Sequence, residues 1–253
     1  MAKIRKTVTA GPYQKVILYS RGHRGDGPKA RASKRRASSE AQRRLNLINS
    51  REQLKLMLAA NFPIAGSGLV FVLTYRDECL PSNWDAAGRC IDDFRRRMRR
   101  ELRKLGKPFL MINNTEEHSA KLDRIHHHAV VNATGEDYDR IRRCWVYGDV
   151  LEIQKLRVDK EKNWTSLARY MTKEQPEKIG KHGWSATRSC RRPEVETSIV
   201  PDDETLQAPH GAHLINSERH ADEWSAWEAI EYVWPNAERA PRAKRRKKRR
   251  CAF

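Results

Sequence analysis

The chain has 253 residues, with 51 Lys and Arg against 32 Asp and Glu, and a formal charge of +19 at pH 7. This length holds one sizeable domain with extensions or two small ones, and the charge argues for a polyanionic partner such as a nucleic acid. No run of about 18 apolar residues exists, which excludes a bilayer-spanning helix, and five cysteines without a CxxC pair suit a reducing cytoplasm better than a disulfide framework.

The first half of the chain begins with a basic segment and continues into a strand and two helices. Residues 1–40 are rich in Lys, Arg, Gly and Ser and are predicted to form a basic, mostly disordered arm. Apolar spacing predicts a helix over 39–60, and "LVFVLTY" predicts a buried strand over 69–75. The clearest helix is "AGRCIDDFRRRMRRELRKLG", which ends at Gly106. Its apolar positions predict one buried stripe formed by Ile91, Phe94, Met98, Leu102 and Leu105.

Strands and short helices alternate through the second half. The patterns predict strands over 108–117, 125–132 and 149–156, helices over 136–145 and 165–175, and an edge strand over 191–200. A late helix, "ADEWSAWEAIEYVW", is predicted within a C-terminal helical extension over 201–238, and a basic tail follows over 239–253. This order predicts an α+β fold in which one sheet is layered by helices.

Three consecutive histidines open the strand over 125–132. Alternation puts His126 and His128 on one face of that strand and His127 on the other, with the two rings roughly 6.5–7 Å apart at Cβ. A hairpin with the preceding strand brings Glu116 beside this pair, and Glu117 is the alternative if the register shifts by one. His118 is a remoter candidate. Two imidazoles and a carboxylate suit a metal site, and the residues alone leave open non-haem iron or zinc chemistry.

A tyrosine and a lysine follow in "SLARYMTKE". Tyr170 and Lys173 are three residues apart, so they share a face if this segment is helical. A phenol with its usual pKa near 10 is a poor nucleophile at neutral pH, and a nearby ammonium favours the phenolate. This pair therefore suits covalent attack on a DNA phosphate.

The order of these motifs resembles a known family. "FVLTY", a Glu-bearing strand, "RIHHHAVVN", "WVYG" and "ARYMTK" together resemble the rolling-circle replication initiators of the HUH endonuclease superfamily, closest to those of small single-stranded DNA phages and prophages. "WSATRSCRRPEV" is similar to the segment that follows the nucleophile in those proteins. The resemblance spans about residues 45–200 and implies an HUH-type endonuclease domain over 41–200, built on a central antiparallel sheet with flanking helices.

The resemblance implies a role for each matching residue. His126, His128 and Glu116 would hold a divalent ion, Mg²⁺ or Mn²⁺, while Tyr170 would be the nucleophile and Lys173 its basic neighbour. The chain departs from the family at Ser166, where some relatives carry a second tyrosine, and at His127, where an apolar or aromatic residue is usual. A single-tyrosine mechanism is therefore expected.

The implied activity is nicking of single-stranded origin DNA to leave a 5′-phosphotyrosine and a free 3′-OH, followed by rejoining. Host polymerase and helicase would serve replication in a prokaryotic cytoplasm, without a membrane partner. The exposed arginines of the long helix are candidate DNA-backbone contacts; they are Arg96, Arg99, Arg100 and Arg103. A relaxase or transposase of the same chemistry, or a non-catalytic basic nucleic-acid-binding protein, is the alternative.

Overall fold

A computed structural model describes residues 3–20, 40–62, 68–117, 124–160, 163–173, 183–221 and 226–235. The chain divides into two compact units, one formed by residues 24–192 and the other by residues 1–23 with 193–253. Both units contain an antiparallel five-stranded sheet, and the larger one carries the helices. The predicted α+β class with antiparallel pairing and flanking helices is confirmed, and it is consistent with an HUH-like fold.

The larger unit alternates helices and strands as the sequence predicts. Its helices are α1 (Glu40–Asn61), α2 (Trp84–Lys104), α3 (Tyr138–Cys144) and α4 (Thr165–Tyr170). Its strands are β3 (Leu69–Leu73), β4 (Met111–Glu116), β5 (His126–Val131), β6 (Val150–Lys155) and β7 (Trp184–Ala186). The sheet order is β6-β3-β5-β4-β7, so that the histidine strand β5 lies at the centre. No helix in the described part of the chain is long and apolar enough to cross a membrane.

Helix α2 covers one face of this sheet. Ile91, Phe94, Met98 and Leu102 are buried among the side chains of β3, β4 and β5 that point to that face, including Phe71, Met111 and Ala129. The prediction that Leu105 continues this stripe is wrong, because the helix ends at Lys104 and Leu105 is 48% exposed. Gly106 follows in the left-handed region at φ 67, as expected of a residue that ends a helix.

The other face of the sheet carries α1 and α4. Leu54 and Leu58 of α1 are fully buried, and α1 packs against α4. Arg51 of α1 donates from Nε to Thr172 Oγ1 at 3.1 Å, just beyond the end of α4. The two helix layers therefore lie on opposite sides of the strand that carries the three histidines.

The "WVYG" motif closes the chain tightly on the end of β3. Thr74 N–H donates to Asp149 C=O at 2.9 Å, and Arg76 N–H donates to Tyr147 C=O at 2.9 Å. A Cβ atom at Gly148 would lie 2.2 Å from the carbonyl oxygen of Thr74. Glycine is therefore required here by the close approach of two backbone segments.

The smaller unit corrects the predicted N-terminal arm. Its strands are β1 (Lys3–Ala10), β2 (Tyr13–Ser20), β8 (Glu194–Val200), β9 (His213–Ala221) and β10 (Ala226–Val233), in the order β8-β1-β2-β10-β9. Residues 3–20 were predicted to be mostly disordered, whereas they form a hairpin that turns at Gly11, with φ 60. The predicted edge strand near 191–200 is confirmed as β8. Residues 21–39 of the predicted arm and the basic tail over 239–253 lie outside the described residues.

The predicted late helix is also wrong. Residues 226–233 form β10, which pairs with β2 on one side and with β9 on the other. Glu231 shows why the strand is preferred: its buried carboxylate accepts from Tyr13 Oη at 2.6 Å and from Lys15 Nζ at 2.7 Å, both on β2. The C-terminal extension described over 201–221 and 226–235 thus contributes strands, not a helix, to the fold.

Candidate metal centre

Strands β4 and β5 bring a carboxylate and two imidazoles together. In their antiparallel register Glu116 lies opposite His126, and Asn114 lies opposite His128. Glu116 Oε2 lies 3.3 Å from His128 Nε2 and 3.7 Å from His126 Nε2. One ligand atom from each of these three residues lies within 4.8 Å of the other two. The expected juxtaposition of His126, His128 and Glu116 is therefore present.

The register selects Glu116 over its neighbour. Glu117 follows the end of β4, is exposed, and accepts a hydrogen bond from Trp84 Nε1 at 2.8 Å. It is not one of the three residues that form the ligand group. His118, the remoter candidate, lies outside the described residues.

Burial and charge both affect the Glu116 carboxyl, which is 2% exposed. Burial alone would raise its pKa, but hydrogen bonding to His126 and His128 and their positive charge outweigh burial and lower the pKa to about 2. The carboxylate is thus ionised throughout the physiological range. An ionised acceptor beside two imidazole nitrogens is the donor set of a divalent metal site.

Neighbouring groups fix the orientation of the ligands. His126 Nδ1 lies 2.8 Å from the Arg124 carbonyl oxygen, and because a carbonyl only accepts, Nδ1 carries the proton and Nε2 is left as the lone-pair donor. Asn114 Nδ2 donates to Glu116 Oε1 at 2.9 Å, which leaves Oε2 facing the histidines. His128 Nδ1 is buried without a hydrogen-bond partner among the described residues. These residues fit a metal bound through the two Nε2 atoms and Oε2.

His127 has a different task on the opposite face of β5. It is fully buried, with Nε2 2.6 Å from Tyr75 Oη and Nδ1 2.9 Å from Thr115 Oγ1. Burial, followed by the charges of His126 and nearby Arg95, lowers the pKa of His127 to about 3. The ring is therefore neutral and joins β5 to β4 and to the end of β3. The third histidine stabilises the sheet and takes no part in the ligand group.

Tyr170 lies at the end of α4, beside the metal-site histidines. Its ring centroid is 4.8 Å from that of His128, and the side chain is 45% exposed. Burial, and then the negative charges of Glu152 and Glu116, raise the pKa of Tyr170. The sequence argument expected a nearby ammonium to favour the phenolate, whereas the groups that affect this phenol raise its pKa.

Lys173 lies beyond the helix that was expected to hold it. Helix α4 ends at Tyr170, and Lys173 follows in a turn, where its N–H donates to the Tyr170 carbonyl at 3.3 Å. Such a turn keeps residues three apart on one side of the chain. The exposed Lys173 side chain thus starts from the same side as Tyr170, although the helical geometry assumed from the sequence is absent.

A residue that sequence reasoning missed lies on β6. Glu152 has φ 52, a left-handed conformation that is uncommon for a residue other than glycine. It lies where the register between β3 and β6 shifts between Val70 and Val72, at a β-bulge. The bulge places the Glu152 charge where it acts on Tyr170. Alternation in the sequence gives no sign of such a bulge.

The predicted DNA-contacting arginines lie on the exposed side of α2. Arg99, Arg100 and Arg103 are exposed, and Arg96 forms an ion pair with Asp93 at 3.1 Å. Because α2 packs on the His127 face of the sheet, these four arginines lie on the face opposite the metal centre. The structure therefore separates them from Tyr170.

The fold and this site define a class of protein: an antiparallel-sheet unit with a Glu/His/His group on adjacent central strands and a tyrosine beside it. Residues 69–175 match the family model described as replication-associated protein ORF2. The match spans β3 to the end of α4 and includes Glu116, His126, His128 and Tyr170. It confirms the resemblance to rolling-circle replication initiators, and with it a role in DNA replication. No curated protein and no solved structure matches the chain.

Proposed function

We propose that the protein starts rolling-circle replication by cutting one strand of single-stranded origin DNA and remaining covalently attached to it. The observation that carries this proposal is the Glu116, His126 and His128 group beside the ring of Tyr170, all within the segment that matches the replication family. The positive charge of the whole chain suits a DNA substrate.

The three ligand residues would hold a divalent ion, Mg²⁺ or Mn²⁺. Such an ion acts as a Lewis acid on a non-bridging phosphate oxygen and makes the phosphorus easier to attack. The protein's part is to present Oε2 and two Nε2 atoms in a fixed orientation, since Asn114 and the Arg124 carbonyl hold Glu116 and His126. Three protein ligands leave coordination positions open for the substrate.

Tyr170 would be the nucleophile. Its phenol loses a proton, Oη forms a bond to the phosphorus, and the bond from phosphorus to the 3′ oxygen breaks. The departing 3′ oxygen takes up a proton, so the products are a 5′-phosphotyrosine and a free 3′-OH. The ester retains the energy of the broken bond, so a later 3′-OH can reverse the step and rejoin strands without ATP.

The partial exposure of Tyr170 supports this role. A side chain that is 45% exposed is accessible to a strand, while the ring keeps contact with His128. The raised pKa of Tyr170 means that the phenol is neutral in the free protein, so cation binding at Glu116 offsets one of the charges that hold the proton. Lys173, from the adjacent turn, would stabilise the charge of the phenolate or phosphate.

The cell supplies the remaining parts of the process. The free 3′-OH would prime a host polymerase, a host helicase would separate the strands, and a second transfer would circularise the displaced strand. A prokaryotic cytoplasm is the proposed setting.

Covalent capture tests the proposal. The protein is incubated with 5′-unlabelled, 3′-labelled single-stranded origin DNA and Mn²⁺, and the adduct is resolved on a denaturing gel. Wild type should give an adduct that EDTA prevents, because metal removal leaves the phosphate unpolarised. Tyr170→Phe should give none, since it lacks only the attacking oxygen.

Two other tyrosines serve as matched controls. Tyr138 lies on α3, and Tyr147 Oη donates to Asp93 of α2 at 2.9 Å, so both belong to the opposite side of the sheet. Tyr138→Phe and Tyr147→Phe should retain the adduct. An adduct that persists in Tyr170→Phe and disappears in either control would move the nucleophile. Binding without any adduct in wild type would favour the non-catalytic alternative.

A further inference from the structure

Helices α2 and α3 enclose an arginine-lined cleft on the side of the sheet away from the metal centre. The cleft has a volume of about 610 Å³. Its charged lining comprises Asp93, Arg96, Arg97, Arg100, Glu101, Arg140 and Arg143. Five guanidinium groups thus face two carboxylates within one concavity.

The spacing along α2 explains why these arginines converge. Positions 93, 96, 97, 100 and 101 follow one another at helical intervals of three and four, so they form a stripe beside α3. Arg99 and Arg103 belong to the same helix and are exposed, but they do not line the cleft. The cleft therefore distinguishes two sets of arginines that the sequence pattern treats alike.

The acidic residues hold part of this set in place without neutralising it. Asp93 pairs with Arg96 at 3.1 Å and with Arg97 at 2.6 Å, and the Arg97 guanidinium lies 5.9 Å from the Tyr147 ring centroid. Within the described part of the chain, Arg100 and Arg143 have no ion-pair partner. The cleft keeps a net positive charge, and some of its guanidinium groups are already oriented.

The packing of α2 separates the cleft from Tyr170. Phe94 and Met98 of α2 are buried against the sheet face that holds His127 and Ala129, whereas His128 and Glu116 point to the other face. A helix layer lies about 10 Å from a sheet and is itself about 10–12 Å across. A strand held at the metal centre must therefore pass round the edge of the sheet to reach the cleft.

We propose that the α2–α3 cleft is a second binding site for the phosphate backbone of single-stranded DNA, distinct from the site of cutting. This inference rests on the proposed function, because it places a further stretch of the same substrate. The guanidinium fork matches a phosphate oxygen pair, and several forks in one concavity bind successive phosphates. A solvated helix face, the ordinary role of surface arginines, would instead make every exposed arginine of α2 equivalent.

Equilibrium binding of two matched double variants tests the proposal. Arg100→Gln with Arg143→Gln removes two cleft charges, and Arg99→Gln with Arg103→Gln removes two charges from the same surface outside the cleft. Each full-length protein is titrated into a fluorescent 40-nucleotide single strand in EDTA, and anisotropy is followed from 50 to 200 mM NaCl. EDTA prevents cutting, and melting temperatures verify that both variants are folded.

The cleft variant should bind with a shallower dependence on salt. Loss of two phosphate contacts to a single strand reduces the slope of log K against log salt by about 1.4. The ratio of wild-type to variant affinity should therefore rise about sevenfold as salt falls from 200 to 50 mM. The variant outside the cleft should show less than half of this change in slope.

Equal changes in the two variants, or no change in the cleft variant, would overturn the proposal. The first result would mean that only the total charge of α2 matters. Covalent capture by wild-type protein is measured separately with Mn²⁺. A missing adduct would reject the proposed cutting reaction while leaving the comparison of the two arginine pairs valid.

Discussion

The hydrogen bond between Tyr75 and His127 is expected to make a measurable contribution to the stability of the larger unit. The two groups are 5% and 0% exposed, and their polar atoms lie 2.6 Å apart. Tyr75→Phe leaves His127 Nε2 buried and unpaired, which costs about 1–3 kcal/mol. His127→Leu leaves the Tyr75 hydroxyl unpaired in the same way and frees Thr115, at a similar cost of about 1–3 kcal/mol.

The double variant separates the hydrogen bond from the rest of the packing. With both polar partners removed, neither is left buried and unpaired, so the loss should be smaller than the sum of the single losses by about 1–2 kcal/mol. Urea unfolding of the full-length proteins measures this difference, provided that the m-values stay equal. Losses in Tyr75→Phe and His127→Leu that simply add would refute the reasoning, since the two side chains would then stabilise the fold independently.

Three further outcomes are expected. Because the folded-state pKa of His127, about 3, is below its ordinary value of 6.5, the unfolded chain binds the proton first, and wild type should lose stability relative to His127→Leu by about 1.4 kcal/mol per pH unit between about pH 6 and pH 3, as urea midpoints across that range will verify. Gly148→Ala should destabilise by about 1–3 kcal/mol or more through backbone overlap, whereas Gly88→Ala, in a helix with open space around it, should stabilise by up to about 1 kcal/mol in the same urea assay; similar effects would contradict the steric argument. Asn114→Ala should weaken Mn²⁺ binding about 10–100-fold in calorimetry because it frees the metal-site carboxylate, and Asn113→Ala, whose side chain faces the other side of β4, should not; equal losses would mean that Asn114 acts only through the fold.

The central part of the fold was predictable because its periodicities are strong. The apolar positions of α2 recur at helical spacing, and the alternation in β5 assigns His126 and His128 to one face without any knowledge of partners. The strands of the smaller unit were missed for opposite reasons. Basic residues between the apolar positions of β1 hid its alternation, and Trp227, Ile230 and Trp234 of the β10 region fit a helical period as well as a strand. Pairing with β2 and β9 decides in favour of the strand.

The metal-site residues were predictable to within one position, and the remainder of the site was not. Choosing between Glu116 and Glu117 requires the register of β4 against β5, which the sequence leaves open. The partner of His127 is Tyr75, 52 positions away, so no local pattern announces it. The left-handed backbone of Glu152 arises from pairing between β3 and β6, and no feature of the side chain specifies it.

The neutral hydrogen-bonded ring of His127 also protects the histidine strand against misalignment. Three identical residues in a row would let β5 slide by one residue against β4 and still show an imidazole to either layer. Such a slide would invert every side chain of the strand, placing Ala129 toward α4 and forcing two ionisable rings into an apolar layer. It would also break both hydrogen bonds to the central ring. A repeat that is ambiguous as a sequence thus has a single alignment in the folded protein.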